Sequence, residues 1–180
     1  TIGIGKGTVT LADFDDADLI FVIGQNPGTN HPRMLTTLQV AAQRGAKIVT
    51  LNPLRELALE RFIHPQHPMP MLTGRATTIC ADYYQPLIGG DLAVLKGICK
   101  AVLEVEQAAP GTVLDHDFIR EHTSGFEPFR DDALTANWDQ IESEGGLSRG
   151  EIETIARDYI ASKATIACWA MGLTQHKHAV

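Results

Sequence analysis

Five large apolar residues in a row, Leu19-Ile20-Phe21-Val22-Ile23, stop at Gly24 and give way to Gln25-Asn26-Pro27-Gly28-Thr29-Asn30-His31-Pro32. An unbroken run of this length suits a strand buried on both faces, as in a parallel sheet. From Pro32 the period changes. Met34, Leu35, Leu38, Ala41 and Ala42 recur at spacings of three and four, which is the apolar stripe of a helix. Proline suits the first helical position because its missing N–H would be unbonded there anyway, and Gly45 supplies a helix stop. A second β run, Ala46 to Leu51, ends at Asn52-Pro53. Strand, helix and strand in this order predict a parallel unit.

Further along, Arg55 to Phe62 predicts a short helix. Residues His64 to Pro70 predict none, because three prolines there remove donors and push their predecessors into extended geometry. Ala76 to Tyr84 is β-branched and aromatic and predicts a third strand. Gly89-Gly90-Asp91 reads as a turn with an N-cap, opening a helix whose apolar face is Leu92, Leu95, Ile98, Cys99 and Val102. Asp115 or Asp117 caps a short helix through Arg120. In the polar stretch 126–146, Phe126, Phe129, Leu134, Trp138 and Ile141 are the expected inward residues. Ser148-Arg149-Gly150-Glu151 is a capping-box pattern, with Ile152, Ile155, Ala156, Tyr159 and Ile160 inward. A last strand, Ala164 to Trp169, runs into a Gly-containing loop, Ala170 to His176. The fold class expected is α/β, a doubly wound, mostly parallel sheet with helices on both faces.

Composition narrows the function. The chain has 180 residues, enough for one domain burying ~70 % of its unfolded surface. Its hydrophobic content of 44 % is that of an ordinary globular protein, and no apolar run approaches a membrane span. A net charge of −7 without a basic tract argues against non-specific nucleic-acid binding. Cys80, Cys99 and Cys168 are an odd, widely spaced set, which fits neither a disulfide framework nor a cysteine metal site and favours a reducing cytoplasm. The chain begins at Thr1, without a methionine or signal-like segment, and is expected to be a piece of a longer protein.

Three loops, Gly24 to His31, Asn52 to Arg55 and Ala170 to His176, each follow a strand. A doubly wound sheet would place all three on one edge, where such sheets bind ligands. A helix start facing the first loop would offer N–H groups and positive potential to an anion. The plainer alternative is that any βα connection collects Gly, Asn and Pro. Together the loops suggest an extended polar ligand carrying phosphate, although the dinucleotide and P-loop fingerprints are both missing. His31 reads as a cap, a phosphate donor or a structural residue. His64 with His67, and His176 with His178, read as solvated surface rather than metal ligands, and no nucleophile or carboxylate pair forms a catalytic constellation.

The order of these motifs resembles molybdopterin oxidoreductases related to formate dehydrogenase alpha subunits. The likeness runs through Gly24-Gln25-Asn26-Pro27, His31-Pro32, Gly45-Ala46-Lys47-Ile48-Val49, Asn52-Pro53, Gly89-Gly90-Asp91, Phe118-Ile119, Thr123-Ser124-Gly125-Phe126 and Met171-Gly172-Leu173-Thr174-Gln175. The resemblance implies an α/β domain that grips one of two molybdopterin guanine dinucleotide (MGD) molecules flanking molybdenum. Carried over by position, Gly24, Asn26, Pro27, Gly28, Thr29 and His31 would line the first cofactor loop. Asn52 and Arg55 would approach the guanosine end, Gly90 and Asp91 would form the next loop, and Met171, Gly172, Thr174 and Gln175 the last. Two positions depart from the family: Asn52-Pro53-Leu54 stands where many relatives read Asp-Pro-Arg, and Thr29 where formate dehydrogenase relatives carry Asp. The family's metal-ligating Cys or selenocysteine precedes this stretch, as would the cysteines of any 4Fe-4S cluster. Implied partners are the remaining domains of the same chain and a small-molecule substrate, with no nucleic acid and no membrane span. Other nucleotide-binding Rossmann-like domains, and a non-catalytic interaction module of the same fold, are the competing readings.

Overall fold

A computed structural model describes residues 7–66, 68–74 and 76–177. In chain order the elements are α1 (Asp13–Asp16), β1 (Leu19–Ile23), α2 (Pro27–Asn30), α3 (Pro32–Arg44), β2 (Lys47–Leu51), α4 (Leu57–Glu60), β3 (Arg61–Phe62) and α5 (Pro68–Thr73). They continue with β4 (Thr77–Thr78), β5 (Asp82–Tyr84), α6 (Asp91–Ala108), α7 (His116–His122), α8 (Phe126–Thr135), α9 (Trp138–Gly145), α10 (Arg149–Ala161), β6 (Thr165–Trp169) and α11 (Met171–Thr174). The fold is α/β, with a parallel sheet and helices on its two faces, as the apolar patterning predicted.

The chain forms two compact units, one of residues 1–85 with 162–180 and one of residues 86–161. In the first, the strand order is β5-β2-β1-β6. β1 runs parallel to both β2 and β6, and β2 parallel to β5. Every residue of β1 is buried, which is why its run carries no polar alternation. Ile20 and Val22 meet Ile48, Ile166, Leu38 and Ala41 in one core cluster, so α3 lays its apolar stripe on one sheet face. That helix closes on Gly45, in the left-handed region at φ 101°, whose N–H returns to Ala41 and Ala42. Asp18, just before β1, accepts from the Ser162 hydroxyl and from the backbone N–H groups of Lys163 and Ala164. This ties the start of β6 to the start of β1 across more than 140 residues of sequence.

The second unit is helical. α6 is its axis, packed by α8, α9 and α10. Ser148 and Glu151 form the expected capping box: the N–H and hydroxyl of Ser148 donate to the Glu151 carboxylate. Asp115 caps α7 through the N–H of Phe118.

Several expectations need correcting. Ala76 to Tyr84 is not one strand. It splits into β4, antiparallel to β3, and β5, parallel to β2, because Ile79 and Cys80 turn inward to the core between them. Residues 68–73 are helical despite their prolines; prolines in a first turn forfeit only donors that a helix leaves unbonded. Arg55 to Phe62 yields a single helical turn followed by β3. Asp91 is the first helical residue rather than the cap, which is Gly90. Of the residues expected inward, Leu92, Phe129 and Tyr159 are 58 %, 50 % and 47 % exposed. Phe129 instead meets Phe126 at 6.5 Å between ring centroids. His67, His178 and residues 1–6 lie outside the described residues.

Candidate functional site

Because β1, β2 and β6 are parallel and in register, Ile23 sits beside both Leu51 and Trp169. The three loops therefore leave one edge of one sheet. The Gly24 N–H donates to the Leu51 carbonyl at 2.8 Å, and Gly24 turns the chain at φ 59°. A Cβ built on Gly172 would stand 2.1 Å from the Gly24 carbonyl oxygen. Two backbones cross there, and only glycine permits it. The segment after β6 is not an open loop but the single helical turn α11, because the Leu173 and Thr174 N–H groups return to the Ala170 carbonyl.

The first loop is likewise half-wound. Asn26 begins α2, its side-chain oxygen accepting from the Thr29 N–H at 3.2 Å. Pro27 is buried. Gly28 is exposed, yet a Cβ on it would lie 2.4 Å from the Cβ of Ala58 in α4. The glycine is therefore required by the packing of α2 on α4, whatever a ligand adds. Thr29, Asn30 and His31 are exposed ahead of α3. His31 makes no side-chain capping bond, which removes the cap from its possible roles.

The loop after β2 is held from within. Asn52 is buried and donates through its amide to the Leu54 carbonyl at 2.8 Å. The Tyr83 hydroxyl donates to the same carbonyl at 2.6 Å and accepts from the Glu56 N–H at 3.0 Å. Burial pushes the Tyr83 phenol up from its ordinary value, so it stays a donor at neutral pH. Arg55 pairs with Glu60 at 2.7 Å and lies 5.4 Å from the Tyr83 ring centroid. Its guanidinium is thus kept beside the strand ends.

Gly90 and Asp91 belong to the helical unit. A Cβ on Gly90 would lie 2.6 Å from the Glu144 carbonyl oxygen, and Asp91 is buried in the first turn of α6, where a carboxylate favours the helix dipole. The same unit carries a cleft of about 700 Å³ that includes Thr123, Ser124, Gly125 and Phe126.

One residue escaped sequence reasoning. Gln25 lies in the quoted motif, but a lone glutamine beside two glycines carries no signal of its own. In the structure its side-chain oxygen is buried without a hydrogen-bond partner. Such orphans are rare, because a buried acceptor without a donor costs about 1–3 kcal/mol.

No group of three or more His, Cys, Asp or Glu side chains placed to hold a metal occurs among the described residues. Burial raises all three thiols, Cys168 to about 11, so none is a thiolate at neutral pH. In a chain with 22 acidic residues, Gly24 to His31, Asn52 to Arg55 and Ala170 to His176 contain no carboxylate. An edge lined by amides, hydroxyls, two histidines and an Arg55–Glu60 ion pair offers a phosphate-bearing ligand many hydrogen-bonding groups.

No protein-family model matches the chain. Over 99 % of its length it is 48 % identical to Protein YdeP of Escherichia coli, of which it covers 24 %. It is 44 % identical over its whole length to an uncharacterized oxidoreductase of Mycobacterium tuberculosis, covering 23 % of that protein. It is 27 % identical over 97 % of its length to formate dehydrogenase H of Escherichia coli, covering 21 % of it. Among solved structures, acetylene hydratase from Pelobacter acetylenicus superposes with a TM-score of 0.71 and 20 % identity, over 92 % of this chain and 20 % of that one. At that identity the likeness is one of fold. The chain spans about a quarter of the length of the curated relatives it matches. These similarities bear out the resemblance drawn from the motifs: nearly end to end, the chain is similar to proteins named as oxidoreductases, formate dehydrogenase H among them. No helix among the described residues is long and apolar enough to cross a membrane.

Proposed function

We propose that this chain is the MGD-binding domain of a larger, cytoplasmic bis-MGD molybdenum oxidoreductase acting on formate or a related small molecule, with both compact units belonging to that one domain. The observation that carries the reading is the meeting of three loops at the carboxyl edge of one parallel sheet, beside a buried acceptor with no donor. The end-to-end similarity to formate dehydrogenase H supports it.

When bound, the cofactor would hold molybdenum through its dithiolenes, and the two-electron chemistry would belong to that metal. The residues here would bind and orient. The exposed hydroxyl of Thr29 and the Arg33 N–H in the first turn of α3 would face the pyrophosphate. Arg55, set beside Tyr83 and Glu60, would add positive charge near Asn52 at the guanosine end. Met171, Gly172 and Thr174 on α11, with Gln175 at its C-cap, would close over the cofactor from the β6 side. Asn26, Asn52 and Gly28 act by holding the loops in shape, since their side chains or Cα are already engaged within the protein.

The test is the cofactor content of the full-length protein that carries this chain. Oxidative extraction is expected to yield fluorescent pterin, and hydrolysis two GMP per molybdenum. A full-length protein that holds a sugar nucleotide or NAD, or no nucleotide at all, would overturn the reading. The 180-residue chain alone is expected to hold no molybdenum and to oxidise no formate, since a segment spanning about a quarter of its relatives' length would carry only part of the cofactor's cage.

A further inference from the structure

We infer that Gln25 is a specificity-determining residue of this site, its side-chain oxygen accepting an N–H from the 2-amino-4-oxopyrimidine ring common to guanine and pterin. The inference rests on the proposal that the site takes a pterin–guanine dinucleotide. It begins from the amides gathered at the sheet edge. Asn26 spends its oxygen on the Thr29 N–H, and Asn52 spends its amide on the Leu54 carbonyl. Gln175 donates toward the Met171 sulfur at 3.5 Å. The Gln25 oxygen alone among these amides is buried with nothing donating to it.

Position fixes what it can do. Gln25 directly follows Gly24, whose carbonyl is pressed against Gly172 and whose N–H is bound to Leu51. The backbone that carries Gln25 is therefore held on both sides at the crossing of two loops. A buried side-chain oxygen on a backbone so held offers its acceptor in a confined place, which is the requirement for discriminating between ligands. An amide oxygen accepts and cannot donate, so the partner must bring an N–H or O–H. A 2-amino-4-oxopyrimidine presents such a donor in its exocyclic amino group, which hypoxanthine lacks. A site built around such an acceptor rejects analogues that lack the donor, because the acceptor is then left buried and unpaired.

The experiment uses the full-length protein, with Gln25→Met as the variant: it keeps the length of the side chain and removes the acceptor. Cofactor-free protein is titrated with GDP and with IDP, which lacks the 2-amino group. Loaded protein is assayed for pterin retained after prolonged dialysis. If the contact is at the guanine end, wild type prefers GDP over IDP by about tenfold and Gln25→Met abolishes the preference. If it is at the pterin end, nucleotide affinities are unchanged and retained pterin falls several-fold in the variant. Either result supports the inference. Cofactor-free Gln25→Met is expected to melt at or above the wild-type temperature, since an unpaired buried acceptor has been removed. A lower melting temperature would show that the oxygen has an internal partner, and would overturn the inference. Wild-type protein that loads the dinucleotide, with a variant equal to it in both assays, overturns the role of Gln25 and leaves the MGD reading standing. Wild-type protein that takes up neither pterin nor guanine nucleotide overturns both.

Discussion

Gly172 faces the carbonyl oxygen of Gly24 so closely that a β-carbon on Gly172 would stand 2.1 Å from it. The loops that follow β1 and β6 are thus in direct backbone contact, and the edge between them is a built feature of the fold. Gly172→Ala must push the two segments apart or distort Gly24, which already sits at φ 59°. The expected cost is about 1–3 kcal/mol, the range for overpacking. Urea denaturation should show it as a lowered midpoint, and an unchanged midpoint would mean the two backbones are not in contact in solution.

Gly28 is the position where a motif misleads. A glycine in a phosphate-binding loop invites the explanation that a side chain would strike the phosphate. Here the obstacle is Ala58, 2.4 Å from where a Cβ would be. Gly28→Ala should therefore destabilise cofactor-free protein by about 1–3 kcal/mol. Gly28→Ala combined with Ala58→Gly should recover part of that loss, and denaturation of the two variants side by side measures it. A single variant as stable as wild type, or a double variant no better than the single, would contradict the packing assignment.

Glu106 is the anchor of the connection after α6. Its carboxylate accepts from the N–H groups of Gly111, Val113 and Leu114 and pairs with His116 at 2.8 Å. The Gly111 N–H first, then the His116 ring, hold its carboxyl down from 4.5 to about 2. A carboxyl depressed by folding stabilises the folded form above its unfolded value and loses that contribution as pH falls through the folded one. Wild-type protein should therefore lose stability between about pH 4.5 and pH 2 through this group. Glu106→Gln should be less stable at neutral pH and fall less steeply in that window. Thermal melts of both proteins across this range give the comparison, and parallel curves would exclude the role.

Much of this could be read from the residues. β1, α3, β2, α6, α10 and β6 follow from apolar runs and 3.6-residue periods that burial imposes directly, as in the wholly buried Leu19–Ile23. The shared edge follows from parallel strands alone. What escaped depends on partners distant in sequence. Ile79 and Cys80 break a β-like stretch because the core draws them in, and nothing nearby announces it. Phe129 and Tyr159 sit at helical spacings that suit burial, yet both face outward. The reason for Gly28 lies in Ala58, and the orphaned oxygen of Gln25 exists only once the chain has folded around it.

The central claim is that a pterin–guanine dinucleotide lies on the carboxyl edge of the sheet, against three particular loops. Hydrogen–deuterium exchange of the full-length protein, compared between its cofactor-loaded and cofactor-free forms, tests that placement directly. Slowed exchange is expected together in 24–33, 52–56 and 171–176, with the core of α10 unaltered. Protection confined to other segments, or loading that leaves these three unchanged, would contradict it.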